Sequence, residues 1–254
     1  MTNPVLDVMS AHASTRHYKP DPLSAGIVET IVAAAQHAST SSNLQAYSVV
    51  AVADTRKREK LSALCGDQAF IREAPVFLAW CADLARLERV CTLRGYTQVT
   101  EYVENFLVAA VDTALAAQNA ALAAESLGLG ICFVGQIRKM PEEIIALLEL
   151  PRLTFPMMGM TIGWPAREPR TRPRLPTEAI LHWERYHPDQ DRALNEYDQI
   201  MLKTGIYQNR QLSNPKESSE AENYGWMEHT ARRVSKPERI TLRRILRNQG
   251  FQLK

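Results

Sequence analysis

The 254-residue sequence predicts a fold of alternating helices and strands, and three observations support this. Stretches of helical length, amphipathic or rich in alanine, alternate with short runs of β-branched and aromatic residues. Hydrophobic residues make up 45% of the chain, which is enough for one large domain or a core with an appendage. The apolar runs end near residue 164, and the chain beyond residue 182 is mostly polar. We therefore expect a core over residues 1–180 and a C-terminal arm over residues 181–254.

The expected elements follow from local pattern and from residues that start or stop helices. Ser24 is a candidate N-cap, Gly128 a candidate C′ residue and Pro141 a first-turn proline. Runs rich in valine, isoleucine and aromatic residues predict strands. The predicted helices cover residues 6–14, 24–39, 55–66, 101–130, 141–150, 192–203 and 236–250, and the predicted strands cover 46–54, 75–83, 131–136 and 156–165.

The long helix predicted over residues 101–130 is apolar on nearly all sides and rich in alanine. Such a helix needs close neighbours around its whole circumference. It either lies at the centre of one chain or packs against its own copy across a two-fold axis, and the second arrangement is slightly favoured. Because Asp112, Gln118 and Asn119 interrupt its apolar run, we do not expect it to span a membrane.

Composition and short motifs narrow the class of protein. The formal net charge of +2 demands no nucleic-acid partner, and the eight Lys/Arg against two Asp/Glu in residues 228–254 are typical of a solvated helix face. The first twelve residues lack the pattern of a secretory signal. Four cysteines without CxxC spacing predict reduced thiols in a cytoplasmic protein, and we expect no metal site.

Hydroxyl, amide and guanidinium groups are concentrated in four segments. These are the groups that bind a phosphate monoester. A Ser/Thr run is also typical of a helix cap, and an arginine run of a solvated face; together, however, the four clusters predict a phosphorylated ligand. The clusters are His12, Ser14, Thr15 and Arg16; Ser39 to Asn43 with Gln45; Arg167, Arg170, Arg172 and Arg174; and Lys203, Arg210, Arg232 and Arg233.

The glycine pattern does not fit a dinucleotide-binding turn. The stretch GLGICFVG has the wrong interval for GxGxxG and leads into a strand instead of opening a helix. No GxxxxGK[ST] occurs either. We therefore expect the phosphate to be held by side chains from separated segments.

Four stretches in the same order resemble a known family: HASTRHY, STSSNLQ, AAQNAALAAESLGLG with CFVGQIR, and GWPAREPRTRPRLP. They are similar to the FMN-dependent, oxygen-insensitive nitroreductases, and most similar to the NADPH-using branch that includes flavin reductases. The resemblance implies an α+β fold with a central mixed, mainly antiparallel sheet flanked by helices. It also implies an intertwined homodimer with FMN at the subunit interface.

The same resemblance implies roles for individual residues. His12, Ala13 and Ser14 would lie along the phosphate and ribityl end of FMN. Arg16 would lie at the pyrimidine edge of the ring, where a fixed cation favours the reduced, anionic form. The other implied cofactor contacts are Thr40, Ser41 and Gln45, some of them to the flavin of the other subunit, Gln68 near the ring, Phe133, Val134, Gly135 and Gln136 beside the isoalloxazine, and Arg172 and Arg174 at the phosphate.

Three departures from the family pattern bear on the site. Ala13 replaces a usual arginine, and Gln136 stands where a second glycine is common. The stretch LKTGIYQNRQ aligns loosely with the family's nicotinamide arm, so Lys203 or Arg210 would take the 2′-phosphate of NADPH, with Arg232 and Arg233 as further candidates. NADPH is expected as the donor, and NADH is possible.

The reaction that the resemblance implies is a two-electron, ping-pong transfer. Nicotinamide would reduce FMN, and a nitroarene, quinone or free flavin would then take the electrons from the same face. No protein nucleophile, general acid or metal is expected to be catalytic. A flavin-binding regulator or store with little turnover is the alternative, suggested by Ala13 and Gln136.

Overall fold

A computed structural model describes residues 3–208, 211–212 and 224–254. The chain divides into two compact units. The first unit combines Met1–Arg170 with Thr241–Lys254, and the second is Thr171–Ile240. The functional division expected at residue 180 stays a prediction.

The elements follow the alternation that the sequence predicts. Short 3₁₀ turns lie at Ser41–Asn43, Gly135–Arg138 and Thr177–Ala179. The helices are α1 Pro4–Ala11, α2 Ile27–Ala35, α3 Thr55–Leu64, α4 Ala69–Glu73, α5 Ala85–Arg94, α6 Val103–Ser126, α7 Pro141–Leu147, α8 Asp191–Lys203, α9 Trp226–Val234 and α10 Leu242–Asn248. The strands are β1 Tyr47–Val52, β2 Val76–Asp83, β3 Gly130–Val134 and β4 Thr154–Gly163.

The four strands form one sheet in the order β1-β2-β4-β3. Each neighbouring pair in this sheet is antiparallel. All eight residues of β2 are buried, as expected for an inner strand covered on both faces. The α+β class with a helix-flanked sheet is confirmed, and the described pairings are antiparallel where a mixed sheet was expected.

Helix α6 packs its alanine-rich face against the sheet. Ala116, Ala120 and Ala124 are fully buried in one cluster with Trp80 and Ile131. Small side chains at these positions let the helix backbone approach the strands closely. Gly128 is the C′ residue of α6, as the sequence predicted. It has φ of +77°, and the Leu129 amide donates to the Ala124 carbonyl oxygen at 3.0 Å.

The opposite face of α6 carries an exposed apolar stripe, here called the outer stripe. Its members are spaced by four residues and are between 44% and 53% exposed: Val103, Leu107, Val111 and Leu115. By length and composition, α6 is also the one helix in the described chain that meets the criteria for a membrane span. A core helix of a soluble protein meets the same criteria, and 39% of its most apolar window is buried. The central position in one chain accounts for the inner face of α6 and leaves the outer stripe uncovered.

The second unit joins α8 and α9 through polar and aromatic contacts. Tyr197 and Trp226 pack edge to face with ring centroids 5.1 Å apart. The Asp198 carboxylate accepts from the Met227 amide at 2.8 Å, at the start of α9. The hydrogen bond to Asp198 satisfies one of the backbone amides that have no acceptor within the first turn of α9.

Some local predictions were wrong. Helix α2 begins at Ile27 with Gly26 as its N-cap, in a left-handed conformation that favours glycine, and not at Ser24. The C-terminal helix begins at Leu242 and not at residue 236, because residues 236–240 after α9 are not helical. Helices α4, α5 and α9 were missed.

Candidate functional site

Residues 12–18 run beside the sheet on the side of β3. The Thr15 amide donates to the Ile131 carbonyl oxygen at 2.8 Å, and Tyr18 forms an antiparallel bridge with Pro165. The Tyr18 hydroxyl lies 2.9 Å from the Thr15 carbonyl oxygen and 2.7 Å from Thr161 Oγ1. Burial raises the pKa of Tyr18, so its hydroxyl stays neutral and fixes the segment by hydrogen bonding.

Side chains alternate along this extended segment. Ala13 and Thr15 are buried, His12 is half-buried, and Ser14 and Arg16 are exposed. Because successive side chains of an extended chain point to opposite sides, the imidazole, the hydroxyl and the guanidinium share one side. The segment therefore presents three groups that can bind an anion, whereas the sequence predicted that the helix would continue to Ser14.

Gly130 allows this segment to lie close against β3. A Cβ atom at Gly130 would lie 2.4 Å from Thr15 Oγ1, which is far too short for any side chain. The Thr15 hydroxyl is buried and has no hydrogen-bond partner among the described groups. The close approach therefore brings a polar atom to a buried position that a bound molecule or a water can satisfy.

Arg16 reaches the start of helix α4. Its guanidinium carbon lies 5.9 Å from the centroid of the Phe70 ring, within the range of a cation–π contact. Gln68, another predicted site residue, is the half-buried N-cap of the same helix. The structure thus brings Arg16 near the Gln68–Phe70 turn.

The end of β3 supplies the next predicted group. Phe133 is half-buried, Val134 is buried and Gly135 is exposed where the chain turns into a 3₁₀ helix. Gln136 is half-buried in that turn. Thr15 pairs with Ile131 in the same strand, so residues 12–16 and 133–136 are carried by one edge of the sheet.

A carboxylate from α6 holds the first residue of the segment. His12 Nδ1 lies 2.7 Å from Glu125 Oε1, and the two side chains are 28% and 12% exposed. Burial raises the pKa of the Glu125 carboxyl, while the hydrogen bond and charge of His12 lower it. The contact links α6 to the segment across 113 positions of sequence.

A second carboxylate of α6 shapes the loop with the predicted contacts Thr40, Ser41 and Gln45. The buried Asp112 accepts from the Ser41 amide at 2.9 Å and from the Ala46 amide at 3.1 Å. Between these bonds the backbone has positive φ values at Ser42, Asn43 and Gln45. Ser41 and Gln45 are exposed and Thr40 is half-buried. Asp112 therefore anchors both ends of a loop whose own conformation is strained.

The remaining predicted cations lie in the second unit. Arg172, Arg174 and Lys203 are exposed, and Arg174 donates to the Arg172 carbonyl oxygen at 3.1 Å. The Tyr197 hydroxyl donates to the Pro173 carbonyl oxygen at 3.2 Å and so holds the arginine pair against α8. Arg210 lies outside the described residues.

Two further candidates, both in α9, differ in exposure. Arg232 is buried; its Nε lies 2.5 Å from Glu228 Oε1, and its guanidinium carbon lies 5.1 Å from the centroid of the Tyr224 ring. Arg233 is exposed, with its Nη2 3.4 Å from Glu238 Oε1. The surroundings of Arg232 give it a structural role within the unit. Its predicted nicotinamide contact stays a prediction.

No group of three or more His, Cys, Asp or Glu side chains that could hold a metal ion occurs in the part of the chain that the structure describes. The groups gathered on the first unit are instead anion-binding and aromatic, which are the groups that a phosphorylated ring compound requires.

The fold and this donor set define an α+β protein with a site for a phosphate-bearing aromatic ligand. Comparison with known proteins names the class. The model of the nitroreductase family matches residues 9–164, and that of the nitroreductase family C-terminal domain matches residues 172–254. The chain belongs to the nitroreductase family.

Individual relatives match over their whole length. A Cr(VI) reductase of Pseudomonas sp. (strain G-1) is 37% identical, with 98% of this chain and 100% of the relative covered. An FMN reductase (NADPH) of Bacillus subtilis (strain 168) is 33% identical, with 98% of each chain covered. The solved structure of B. megaterium NfrA2 superimposes with a TM-score of 0.91 at 33% identity and covers 100% of both chains.

Sequence reasoning missed Asp112, Glu125 and Phe70 as parts of the site. The two carboxylates could have been found, because Glu104, Asp112 and Glu125 are the charged residues of an otherwise apolar 24-residue helix. A carboxylate on the buried face of such a helix needs donors from another segment. Phe70 gave no comparable pattern, because its contact with Arg16 depends on tertiary structure.

Proposed function

We propose that this chain works as a homodimer that binds FMN on residues 12–16 and transfers two electrons from NADPH to an organic or inorganic acceptor. The class of activity follows from the family, and the chain is an NAD(P)H-dependent flavin oxidoreductase. The row of His12, Ser14 and Arg16 on one side of a segment fixed to β3 carries the assignment of the site.

The residues present fit FMN. The exposed Ser14 and Arg16 supply donors, and the end of β3 supplies an apolar edge at Phe133 and Val134. His12 and Ser14 would hold the phosphate and ribityl groups, with Arg172 and Arg174 as further phosphate ligands. When bound, FMN supplies the exchange of a hydride with nicotinamide and the delivery of two electrons to an acceptor. Arg16 orients the ring and supplies a fixed positive charge beside it.

The homodimer is supported by the outer stripe of α6. Val103, Leu107, Val111 and Leu115 form an apolar surface on the helix that also carries the two anchoring carboxylates. Thirteen residues separate Asp112 from Glu125, which is about 20 Å along a helix axis. That separation supports assigning the Thr40, Ser41 and Gln45 loop to the flavin of the partner subunit and residues 12–16 to the chain's own flavin.

The acceptor and the donor are proposed by class. The chain's relatives are named for NADPH, FMN and Cr(VI), so the test panel contains a nitroarene, a quinone, free flavin and chromate. Lys203 and Arg233 remain candidates for the 2′-phosphate of NADPH. The four cysteines show no CxxC spacing, and Cys65, Cys81 and Cys132 are buried, which supports a reducing, cytoplasmic location.

The role of Arg16 is tested by the variant Arg16→Gln. Removing a fixed cation beside the ring disfavours the reduced cofactor, so we expect the two-electron midpoint potential of bound FMN to fall by about 30 mV or more, equivalent to about 1.4 kcal/mol. Spectroelectrochemical titration of the flavin measures this directly.

The matched control is Arg94→Gln, an exposed arginine at the end of α5. Its potential should equal that of the wild type. An unchanged potential in Arg16→Gln, with FMN bound normally, would contradict the assigned position of Arg16.

A further inference from the structure

Glu125 has a single described partner, the imidazole of His12. Its Oε1 lies 2.7 Å from His12 Nδ1. Its Oε2 is buried and has no hydrogen-bond donor among the described groups. A carboxylate in this position is stable as an anion only if its partner supplies positive charge, because burial penalises an unpaired charge.

Among the described residues, no other ionisable side chain lines the cavity beside Glu125. The cavity has a volume of about 250 Å³ and is bounded by α1, residues 13–15, residues 128–130 and the segment after β4. Its other lining residues are Val8, Ala11, Ala13, Thr15, Gly128, Leu129, Gly130, Pro165 and Pro169. Burial raises the pKa of the Glu125 carboxyl, and the hydrogen bond to His12 opposes this effect.

The contact also decides which ring nitrogen of His12 faces a ligand. With Nδ1 bonded to Glu125, Nε2 is the remaining polar atom of the ring. The carboxylate thereby fixes the orientation of the ring and leaves Nε2 to face a ligand. Since residue 13 is alanine, His12 is the first residue of the segment whose side chain can bind an anion.

We propose that Glu125 is a positioning residue, which fixes the His12 ring through Nδ1 so that Nε2–H donates a hydrogen bond to the phosphate group of the flavin. This inference rests on the proposed function, because it assumes that the flavin's phosphate lies at His12. It adds a residue from α6 that touches neither the cofactor nor an acceptor.

The test compares FMN with riboflavin, which lacks the phosphate. Dissociation constants are measured by fluorescence quenching for the wild type, Glu125→Gln, His12→Gln and the double variant. Glutamine at 125 keeps the shape of the side chain but removes its charge. We expect Glu125→Gln to weaken FMN binding about tenfold and to leave riboflavin binding unchanged, since hydrogen bonds to charged groups contribute about 1.5–3 kcal/mol. In the His12→Gln background, Glu125→Gln should have no further effect on FMN.

A spectroscopic measurement separates positioning from a merely structural role. In the FMN-loaded wild type, ¹⁵N NMR of His12 should show a hydrogen-bonded N–H at Nε2, and in Glu125→Gln this signal should be lost. Glu143→Gln, an exposed glutamate of α7, is the matched control and should leave both readouts unchanged.

The outcomes are distinct. A wild type that binds neither flavin would contradict the proposed function and remove the phosphate role of His12 with it. Normal FMN binding by both the wild type and Glu125→Gln would overturn this inference alone. An equal loss of FMN and riboflavin in Glu125→Gln, or the absence of a hydrogen-bonded Nε2–H signal from His12 in the FMN-loaded wild type, would also overturn it.

Discussion

Two carboxyl groups of α6 form hydrogen bonds with polar segments of the first unit. Glu125 binds His12 at one end of the helix, and Asp112 binds the amides of Ser41 and Ala46 nearer its middle. The segments that we assign to the cofactor are thus held by two carboxyl groups, of which Asp112 is buried and Glu125 half-buried. Side-chain packing and hydrogen bonding of this kind are what hold a binding site in one geometry.

At this scale Asp112→Ala tests the loop. The substitution leaves the Ser41 amide and the buried Ala46 amide without their charged acceptor, so we expect the free energy of unfolding to fall by about 2–3 kcal/mol. Urea denaturation measures the change, and hydrogen exchange should show faster exchange at the Ser41 and Ala46 amides. Glu104→Gln, an exposed position on the same helix, should change stability by less than about 0.5 kcal/mol. An Asp112→Ala protein as stable as the wild type would show that the loop holds its shape unaided.

Prediction from sequence succeeded for residues with a local pattern. The helix stop at Gly128 and the strands β1 to β4 were predicted from such patterns and are found in the structure. Glu125 and Phe70 were not predicted, because their partners lie far away along the chain. Pairings of that kind are decided by tertiary packing, which the sequence shows only indirectly.

Among the secondary-structure elements, helix α6 has two apolar faces with different surroundings. Its alanine face is buried against the sheet, while the outer stripe leaves four large apolar side chains about half exposed. The sequence suggested either a central helix or a pair of helices across a two-fold axis. The buried inner face fits a central helix within one chain. The exposed outer stripe favours, in addition, a pairing of two such helices across a two-fold axis.

Val111→Glu tests the outer stripe as a dimer surface. A charge placed at the centre of an apolar interface has no partner and must be desolvated, so we expect the dimer dissociation constant to rise at least 100-fold, or about 3 kcal/mol. Sedimentation velocity over a concentration series measures this, and FMN should be lost along with the dimer. Val90→Glu, which charges an equally exposed valine of α5, should sediment as the wild type does. A wild type that is monomeric at every concentration would contradict the assembly.

The elements that were missed have a common physical cause. Helices α4 and α9 are short, with five and nine residues, and α5 has a strongly polar sequence over Ala85–Arg94. Segments this short or this polar are marginal as isolated helices, so their helical state depends on neighbours in the fold. The strands β1 to β4 were predicted because β-branched and aromatic residues are enriched in strands.

At the scale of the whole molecule, the basic C-terminal stretch is divided between the two units. Helix α9 belongs to the second unit and α10 to the first. Several of its cations are paired with carboxylates of their own unit: Arg232 with Glu228, Arg233 with Glu238, Arg244 with Glu142, and Lys254 with Glu101. These pairs fit the expectation that the stretch is a solvated surface.

The central claim is that the chain binds FMN and uses it to carry electrons from NADPH to an acceptor. The most direct measurement is anaerobic stopped-flow mixing of the FMN-loaded protein with NADPH, followed by a second mixing with a nitroarene, quinone, flavin or chromate. We predict loss of the yellow flavin absorbance in the first step and its full return in the second. A protein whose bound FMN keeps its colour in excess NADPH and NADH would contradict this and favour a flavin-binding regulator or store.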